Sequence, residues 1–389
     1  MTTWLETSLD ALRKQNRLRS LTPLHRITTI QSKSNGGQLR LFSSNDYLGL
    51  SNHSKVIEAV ETAVKNGGMG ARGASLICGY APAHEALEAK LASLKQAESA
   101  LLMPSGYQAN VGLLSALGCA ETTIFSDALN HASIIDGCRL SRAKIQIYQH
   151  RDLEDLEQKL KACTGQKKVV VTDEVFSMDG HRAPLVQLAR LRERYGFIWV
   201  TDSAHSTGIY GHQGAGLAEA AGVADQIDFQ VGTLSKTFGS QGGFVACTKP
   251  AREWLLNSAR SFIFSTALPT PIVAAASAAY EVMTTDSEVH IRLWDRVTQL
   301  AKALRRPPTG PIFPIIIGTE SAVLAAADHL HQAGFHVPAI RPPTVADGTC
   351  RLRITVSAAH SKTDVEALLD AMTAIMPSIQ RSTLDPIRP

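Results

Sequence analysis

Two stretches, FIWVTDSAH at residues 197–205 and FQVGTLSKTFG at residues 229–239, decide the fold. Each begins with a short, largely apolar run and turns polar at its end. Such a run is typical of a strand that is buried on both faces, as in a parallel sheet covered by helices. In an open sheet of this kind, ligands bind beyond the carboxyl ends of the strands. The polar residues after the two runs are therefore the first candidates for a functional site.

Runs of the same kind alternate with helical patterns from about residue 85 onward. Between the strands lie helical patterns such as Leu153–Lys161 and Leu185–Tyr195. This alternation predicts an α/β fold with a mostly parallel central sheet and helices on both faces. The predicted strands are Ala100–Met103, Thr123–Ser126, Lys144–Tyr148, Lys168–Thr172, Phe197–Thr201, Phe229–Gly232 and Gly243–Cys247.

The two ends of the chain have different patterns. Leu5, Leu9 and Leu12 recur at helical spacing, and Asn35-Gly36-Gly37 is a turn signal for a hairpin. Beyond residue 270, an Ala-rich helical stretch and the break Arg305-Arg306-Pro307-Pro308 precede a smaller α+β unit. In that unit we predict strands at Ile312–Ile317 and Leu352–Val356, helices at Ser321–Ala333 and Asp364–Met376, and a frayed tail from Ser378 to Pro389.

These patterns divide the chain into three parts. Residues 1–45 are predicted to form an N-terminal helix and hairpin segment. Residues 46–269 are predicted to form a large ligand-binding α/β domain, and residues 270–389 a small C-terminal α+β domain.

The composition is that of a globular protein of ordinary size. The chain has 389 residues, of which 44% are hydrophobic and 19% are charged, and its formal net charge is +4. These values argue against a disordered chain, a collagen-like chain and a small disulfide scaffold. The charge surplus is too weak to indicate nucleic-acid binding, and no apolar stretch is long enough to span a membrane. The N-terminus lacks the apolar core of a signal peptide, and the six cysteines are scattered, so we expect a cytoplasmic location.

Three predicted strands are followed by residues that could carry chemistry. After Ala100–Met103, the turn Pro104–Asn110 feeds a helix N-terminus, which suits a phosphate. Asp202 and His205 follow a second strand, and Lys236 follows a third. A phosphate cradle, a carboxylate and a lysine at one sheet edge are what pyridoxal phosphate needs. The lysine holds the aldehyde, and the carboxylate keeps the pyridine nitrogen protonated.

The chain resembles the α-oxoamine synthase family of fold-type I pyridoxal-phosphate enzymes. Seven motifs carry this resemblance, and it covers nearly the whole chain. The motifs are Ser44–Leu50, Ser105–Asn110, Asn130–Ser133, Val175–Gly180, Asp202–His205, Ser235–Gly239 and Ile340–Val345.

The resemblance implies a role for each matching residue. Lys236 would hold the cofactor and move the substrate's α proton, with Asp202 on the pyridine nitrogen and His131 stacked on the ring beside the substrate. The other implied cofactor contacts are Gly106, Tyr107 and Thr233 at the phosphate, Ser177 and His205 near the phenolic oxygen, and Ser265 and Thr266 reaching the neighbouring subunit of a homodimer. The implied substrate contacts are Arg341 at the amino-acid carboxylate, Arg19 and Thr344 at the acyl group, and Asn45 beside the amino acid.

Within the family, the motifs are most similar to the branch that condenses L-alanine with a pimeloyl thioester in biotin synthesis. The acyl carrier would be coenzyme A or acyl carrier protein. The chain departs from many relatives at Ala71 and Ala74, and its lysine motif reads Leu-Ser-Lys-Thr. His329 and His331 are expected to be solvated helix residues, because nothing supplies further metal ligands.

Three alternatives remain open from the sequence. A sister synthase would use glycine with acetyl- or succinyl-CoA, or serine with a long acyl chain. An aminotransferase would release a keto acid and keep the amine on the cofactor. A non-enzymatic binding module is the third alternative, and Lys236, Asp202 and His131 together argue against it.

Overall fold

A computed structural model describes residues 2–34 and 37–373 of the chain. Fourteen helices are labelled in these residues: α1 Thr3–Lys14, α2 Ser54–Gly67, α3 Pro82–Leu94, α4 Gly106–Leu117, α5 Ala132–Leu140, α6 Leu153–Ala162, α7 Leu185–Tyr195, α8 Leu217–Ala220, α9 Lys249–Ser258, α10 Arg260–Ile263, α11 Thr270–Thr285, α12 Ser287–Ala303, α13 Glu320–Gln332 and α14 Lys362–Thr373. The strands of the described residues are β1 His25–Arg26, β2 Gln31–Ser34, β3 Gly37–Leu41, β4 Ser99–Met103, β5 Thr122–Asp127, β6 Lys144–Tyr148, β7 Lys167–Asp173, β8 Ile198–Asp202, β9 Phe229–Thr233, β10 Gly243–Cys247, β11 Ile312–Gly318, β12 Phe335–His336, β13 Ala339–Ile340 and β14 Cys350–Thr355.

The chain forms two compact units. Within the described residues, the first unit takes residues 2–47, 178–180 and 291–373, and the second takes 48–177 and 181–290.

The second unit is built on a seven-stranded sheet in the order β4-β10-β9-β8-β7-β5-β6. Only β10 runs against the other six strands. Successive residues of a strand point to opposite faces, and all five residues of β9 are buried. Both faces of the sheet are therefore covered. This arrangement confirms the predicted fold class, a mostly parallel central sheet with helices on both faces.

One face of this sheet packs against α4, α5, α9 and α10. Leu113 of α4, Ile134 of α5 and Phe262 of α10 lie in one apolar cluster with Val171 and Val200 of the sheet, all at most 6% exposed. The cluster holds the N-termini of α4 and α5 at fixed positions beyond the strands.

The first unit contains two small sheets. One has the order β1-β2-β3-β12 and the other β11-β14-β13. Strands β2 and β3 pair antiparallel as predicted for the hairpin, with Gln31 opposite Arg40, while residues 35 and 36 of its turn lie outside the described residues. The predicted tail at 378–389 also lies outside them.

The predicted elements of the first unit agree with the structure within about two residues where their ends are described, while the predicted helix end at Met376 lies outside the described residues. The predicted N-terminal helix is α1, and the predicted C-terminal strands and helices are β11, α13, β14 and α14. The short strands β12 and β13 were not predicted. All six cysteines are free thiols. No helix of the described residues combines the length and the hydrophobicity that a membrane span requires.

Candidate active site

The carboxyl ends of the parallel strands bring the predicted residues of the second unit to one edge of the sheet. Asp202 is the last residue of β8, and Thr233 is the last residue of β9. Lys236 lies three positions after Thr233, in the loop that leads to β10. Strand β4 runs in the same direction, so α4, which follows it, also begins at this edge.

The N-terminus of α4 faces Thr233 closely. Ser105 caps this helix, because its hydroxyl accepts a hydrogen bond from the backbone N–H of Gln108 (3.1 Å). A methyl group added to Gly106 would lie 3.2 Å from Thr233 Cβ, so glycine keeps the space between helix and strand open. The backbone N–H groups of Gly106 and Tyr107 belong to the first turn, where donors have no acceptor within the helix. They are suited to hold an anion together with the helix dipole.

The carboxylate of Asp202 is buried and held by two donors. The Asn110 side chain donates to Oδ2 (2.6 Å), and the backbone N–H of Ala204 donates to Oδ1 (2.8 Å). Asp202 is 6% exposed. A buried carboxylate with fixed donors can still accept a hydrogen bond from a further partner, and a protonated ring nitrogen is such a partner.

A second carboxyl group lies beside Asp202. Asp173 ends β7 and pairs with Asp202 in register across the two strands. Burial, and then the negative charge of Asp202, raise the pKa of Asp173 well above its usual range. The Asp173 carboxyl group therefore takes up a proton more readily than an ordinary aspartate.

His131 is the N-cap of α5 and connects to Asp202 through side chains. Its backbone N–H donates to Asp173 (2.8 Å), and its Nδ1 lies 2.7 Å from the Ser133 hydroxyl. The Asn110 amide donates to that same hydroxyl (2.9 Å) and to Asp202. Desolvation is the main cause that lowers the pKa of His131; the charge of Asp202 opposes this lowering, and the charge of Lys236 adds a smaller contribution to it. The imidazole therefore favours its neutral form.

The loop that carries Lys236 is closed by backbone hydrogen bonds. Leu234 N–H donates to Gly242 O (3.0 Å), and Gly239 N–H donates to Lys236 O (2.8 Å). The Thr233 hydroxyl donates to Gly242 O (2.9 Å), which joins the end of β9 to the end of the loop. Lys236 is half-buried. The loop therefore presents the amine from a fixed backbone.

Ser177 and His205 lie in the turns that follow β7 and β8. The turn with Ser177 is closed by the hydrogen bond from Phe176 N–H to His181 O (2.9 Å). His205 is 5% exposed, and Ser203, two residues earlier, is tied by its N–H and its hydroxyl to Val231 O (2.7 Å each).

Ser265 and Thr266 follow α10. The Gln108 side chain of α4 donates to the Ser265 hydroxyl (2.9 Å), and Thr266 forms an isolated bridge with Ala74. Ser265 thus lies at the same helix N-terminus as Gly106.

Apart from His131, the predicted substrate residues lie in the first unit. The Arg19 guanidinium donates to Pro342 O (3.0 Å), Arg341 donates to Asn16 O (2.5 Å), and Thr344 N–H donates to Arg341 O (3.1 Å). Arg19, Arg341 and Thr344 therefore form one group.

Asn45 contacts an arginine that sequence reasoning missed. Arg353 of β14 is 5% exposed, and its guanidinium donates to Asn45 Oδ1 (3.2 Å). Tyr47 donates to the same oxygen (3.1 Å). A buried guanidinium beside a predicted amino-acid contact is suited to a carboxylate.

Asn110 and Asp173 are the other functional residues that the sequence reasoning gave no role. Asn110 was part of a quoted motif, and its position one helical turn after Gly106 is a signal that could have found it. Asp173 ends a predicted strand in the way that Asp202 does. Arg353 has no such signal, because it lies inside an otherwise ordinary strand.

The fold and this edge of the sheet define the class of the protein. The sequence profile of the family described as "Aminotransferase class I and II" matches residues 38–372. The chain is a member of that class.

Its relatives define the family more narrowly. The 8-amino-7-oxononanoate synthase of Anaeromyxobacter dehalogenans (strain 2CP-1) is 44% identical over 382 residues, which are 97% of this chain and 96% of the relative. The 8-amino-7-oxononanoate synthase of Arabidopsis thaliana is 43% identical over 357 residues, covering 87% of this chain and 75% of the relative. The chain belongs to the 8-amino-7-oxononanoate synthase family.

A solved structure agrees over the whole chain. The serine palmitoyltransferase of S. paucimobilis, solved with a bound PLP–myriocin aldimine, superposes with a TM-score of 0.92 at 28% sequence identity. The match covers 98% of each chain.

Proposed function

We propose that the chain is a pyridoxal-phosphate-dependent acyltransferase of biotin biosynthesis, an 8-amino-7-oxononanoate synthase. It would join Cα of L-alanine to the carbonyl carbon of a pimeloyl thioester on coenzyme A or acyl carrier protein. The C–S bond breaks and releases the free thiol, and the alanine carboxylate leaves as carbon dioxide. The buried Asp202 carboxylate at the same sheet edge as the Lys236 loop carries the proposal.

The residues at the edge fit the cofactor. The space between Gly106 and Thr233 would be filled by a single methyl group at Gly106. Backbone N–H groups at a helix N-terminus lie around that space, beside the hydroxyls of Ser235 and Thr233, which are 2.7 Å apart. Such backbone N–H groups suit a phosphate. We assign Gly106, Tyr107 and Thr233 to the phosphate, with Ser265 and Thr266 completing the site of a neighbouring subunit in a homodimer.

Asp202 would accept the hydrogen bond of the protonated pyridine nitrogen. Because Asn110 and Ala204 occupy two directions of the carboxylate, its orientation is set before the cofactor binds. When bound, the cofactor supplies an aldehyde for the amine and a ring that accepts electrons from the α carbon.

Lys236 would hold the cofactor through its Nζ and, after displacement by alanine, would take the proton from Cα and later return one there. The closed backbone of its loop would hold the amine in a fixed position for this proton transfer. His131, with the pKa of its imidazole lowered, would lie on the ring as a neutral group and contact the substrate. Ser177 and His205 would bind at the phenolic oxygen.

The first unit would supply the other substrate contacts. Arg341 would bind the alanine carboxylate with a bidentate guanidinium, and Asn45 would lie beside the amino acid. Arg19 and Thr344, which are tied to the backbone of residues 341–342, would contact the acyl group.

A panel of amino acids and acyl thioesters, scored by release of free thiol and carbon dioxide, tests the proposed function. L-alanine with pimeloyl-CoA or pimeloyl-acyl carrier protein is expected to give the highest kcat/KM. Transfer of the amine to the cofactor, with keto-acid release and no free thiol, would instead identify an aminotransferase.

The same panel tests a second candidate. The close superposition on a serine palmitoyltransferase favours a sister synthase as the alternative. Serine with palmitoyl-CoA, and glycine with acetyl- or succinyl-CoA, are therefore included. A preference for either pair over alanine with the pimeloyl thioesters would overturn the proposed substrate.

A further inference from the structure

A lysine is fully buried beneath the loop that follows Asp202. Lys95 is the C-cap of α3 and is 1% exposed. Its Nζ donates to Ala215 O (2.7 Å). An ammonium group in such a place destabilises the fold unless a negative charge lies near it.

The negative charge is supplied by Glu174, the residue after β7. Glu174 has no exposed surface. Its carboxylate accepts from the Thr201 hydroxyl (2.9 Å) and from the Ser206 hydroxyl. A methyl group on Gly216 would lie 2.9 Å from Lys95 Nζ and 3.6 Å from Glu174 Oε2. The ammonium and the carboxylate are therefore both adjacent to Gly216 and close to each other. Gly216 has φ +120°, a backbone conformation in which any L side chain is strained.

Two of the residues that hold Glu174 lie close to Asp202 in the sequence, one on each side. Thr201 precedes Asp202 on β8, and Ser206 follows His205 in the loop. The groups that face Lys95 are Glu174, Asp202 and the carbonyl of Ala215. Burial lowers the pKa of Lys95 to about 8, and the charges of Glu174 and then Asp202 oppose that lowering. The ammonium therefore interacts with both carboxylates.

We propose that Lys95 is a positioning residue for Asp202 and His205. Its ammonium balances the charge of Glu174 behind the carboxyl end of β8, and its bond to Ala215 holds the loop 203–216. The inference rests on the proposed function, since it assigns Lys95 and Glu174 to the support of the Asp202 carboxylate. The two do not touch substrate or cofactor.

A double-mutant cycle on the holoenzyme tests the charge balance. Lys95→Met leaves the Glu174 carboxylate buried without its cation and is expected to lower the midpoint of thermal unfolding by about 5–10 °C. Glu174→Gln keeps the hydrogen-bonding shape and is expected to cost less, because the buried lysine can lose its proton. The double variant removes both charges and is expected to regain at least half of the midpoint lost in Lys95→Met. Losses that simply add in the double variant would overturn the proposal.

Kinetics separate positioning from a purely structural role. Expressed per bound cofactor, kcat of Lys95→Met is expected to fall about 10-fold, with both KM values within about twofold, and to recover in the double variant. An unchanged kcat per bound cofactor would also overturn the positioning role.

A matched control lies on the same helix. Lys90 of α3 is half-buried and pairs with Glu281 (2.8 Å) and Ser277 (2.7 Å) away from Asp202. Lys90→Met is expected to move the midpoint by about 2 °C at most and to leave kcat unchanged. Failure of the proposed function can be told apart from failure of this inference. If the proposed function is wrong, the wild-type protein releases no thiol, while the double-mutant cycle of unfolding midpoints still measures the interaction between Lys95 and Glu174.

Discussion

Asp202 is set in place by its neighbours before any ligand arrives. It is buried, it accepts from Asn110 and Ala204, and the carboxyl group of Asp173 lies beside it. Burial, and then the negative charge of Asp202, raise the pKa of Asp173 well above its usual range.

Asp202→Asn is expected to lower kcat at least about 100-fold, because a neutral amide cannot stabilise the positive charge of the protonated ring. The measurement is thiol release with alanine and pimeloyl-CoA, expressed per bound cofactor. The matched control is Asp173→Asn, whose side-chain oxygen can still accept from His131 N–H, and which is expected to keep kcat within about 10-fold. Near-normal turnover in Asp202→Asn would contradict the ring-nitrogen role.

At the residue level, the sequence predicted the charged groups better than their partners. Asp202 and Lys236 could be found because they follow strands whose apolar runs are visible. Arg353 could not, since β14 reads as an ordinary strand and the contact with Asn45 joins residues 308 positions apart. Such contacts arise only from the tertiary fold.

At the level of elements, the apolar runs predicted each central strand to within one residue at its carboxyl end. The predicted strands end at Thr172, Thr201 and Gly232, whereas β7, β8 and β9 each include one further residue. The backbone ladder continues past the last apolar side chain, since Asp173 still pairs with Asp202. The polar site residues are therefore held by the sheet itself.

The short strands could not be predicted because two residues carry no periodicity. Phe335–His336 becomes β12 only because Phe335 pairs with Arg40 of β3 in a parallel register. Ala339–Ile340 becomes β13 by pairing with Leu352 and Arg351 of β14.

The loop that carries Lys236 depends on a glycine. Gly239 has φ +58°, and a methyl group there would lie 2.4 Å from Ser51 N. Gly239→Ala is expected to lower the free energy of unfolding by about 3 kcal/mol or more, from left-handed strain and a backbone clash. We also expect weaker cofactor binding, because the loop must move. Unfolding in urea and titration with pyridoxal phosphate measure the two effects.

Gly196 provides the control for Gly239→Ala. It has φ +60° at the C-cap of α7, with nothing within 4 Å of an added methyl group. Gly196→Ala therefore carries the strain without the clash, and we expect a loss of about 1 kcal/mol and unchanged cofactor binding. Equal effects of the two substitutions would contradict the role of the close approach at Ser51.

At the scale of the whole molecule, stability in acid should depend on a buried histidine of the first unit. His360 is 5% exposed, stacks on Phe42 with ring centroids 4.1 Å apart, and accepts from Ser357 N–H (2.9 Å). Desolvation lowers the pKa of His360 to about 4. The unfolded chain, with an ordinary histidine pKa, binds more protons between pH 6.5 and pH 4. Stability from this group is therefore present above pH 6.5 and is lost as the pH falls toward 4.

Between pH 7 and pH 5, this histidine is expected to remove about 2 kcal/mol from the free energy of unfolding. His360→Gln lacks the titrating group. Its free energy of unfolding should therefore fall by about 2 kcal/mol less than that of the wild-type protein between pH 7 and pH 5. Urea unfolding of both proteins at the two pH values measures the difference. Identical pH dependence in the two proteins would show that His360 is not the group responsible.

The central claim is that one amine, that of Lys236, carries the cofactor. Reduction of the holoenzyme with borohydride, followed by peptide mapping, tests it most directly. The account predicts a single pyridoxyl label on the peptide that contains Lys236, and no label in a folded Lys236→Ala variant. A label on another lysine, such as Lys95, or no label on the wild-type protein would contradict it.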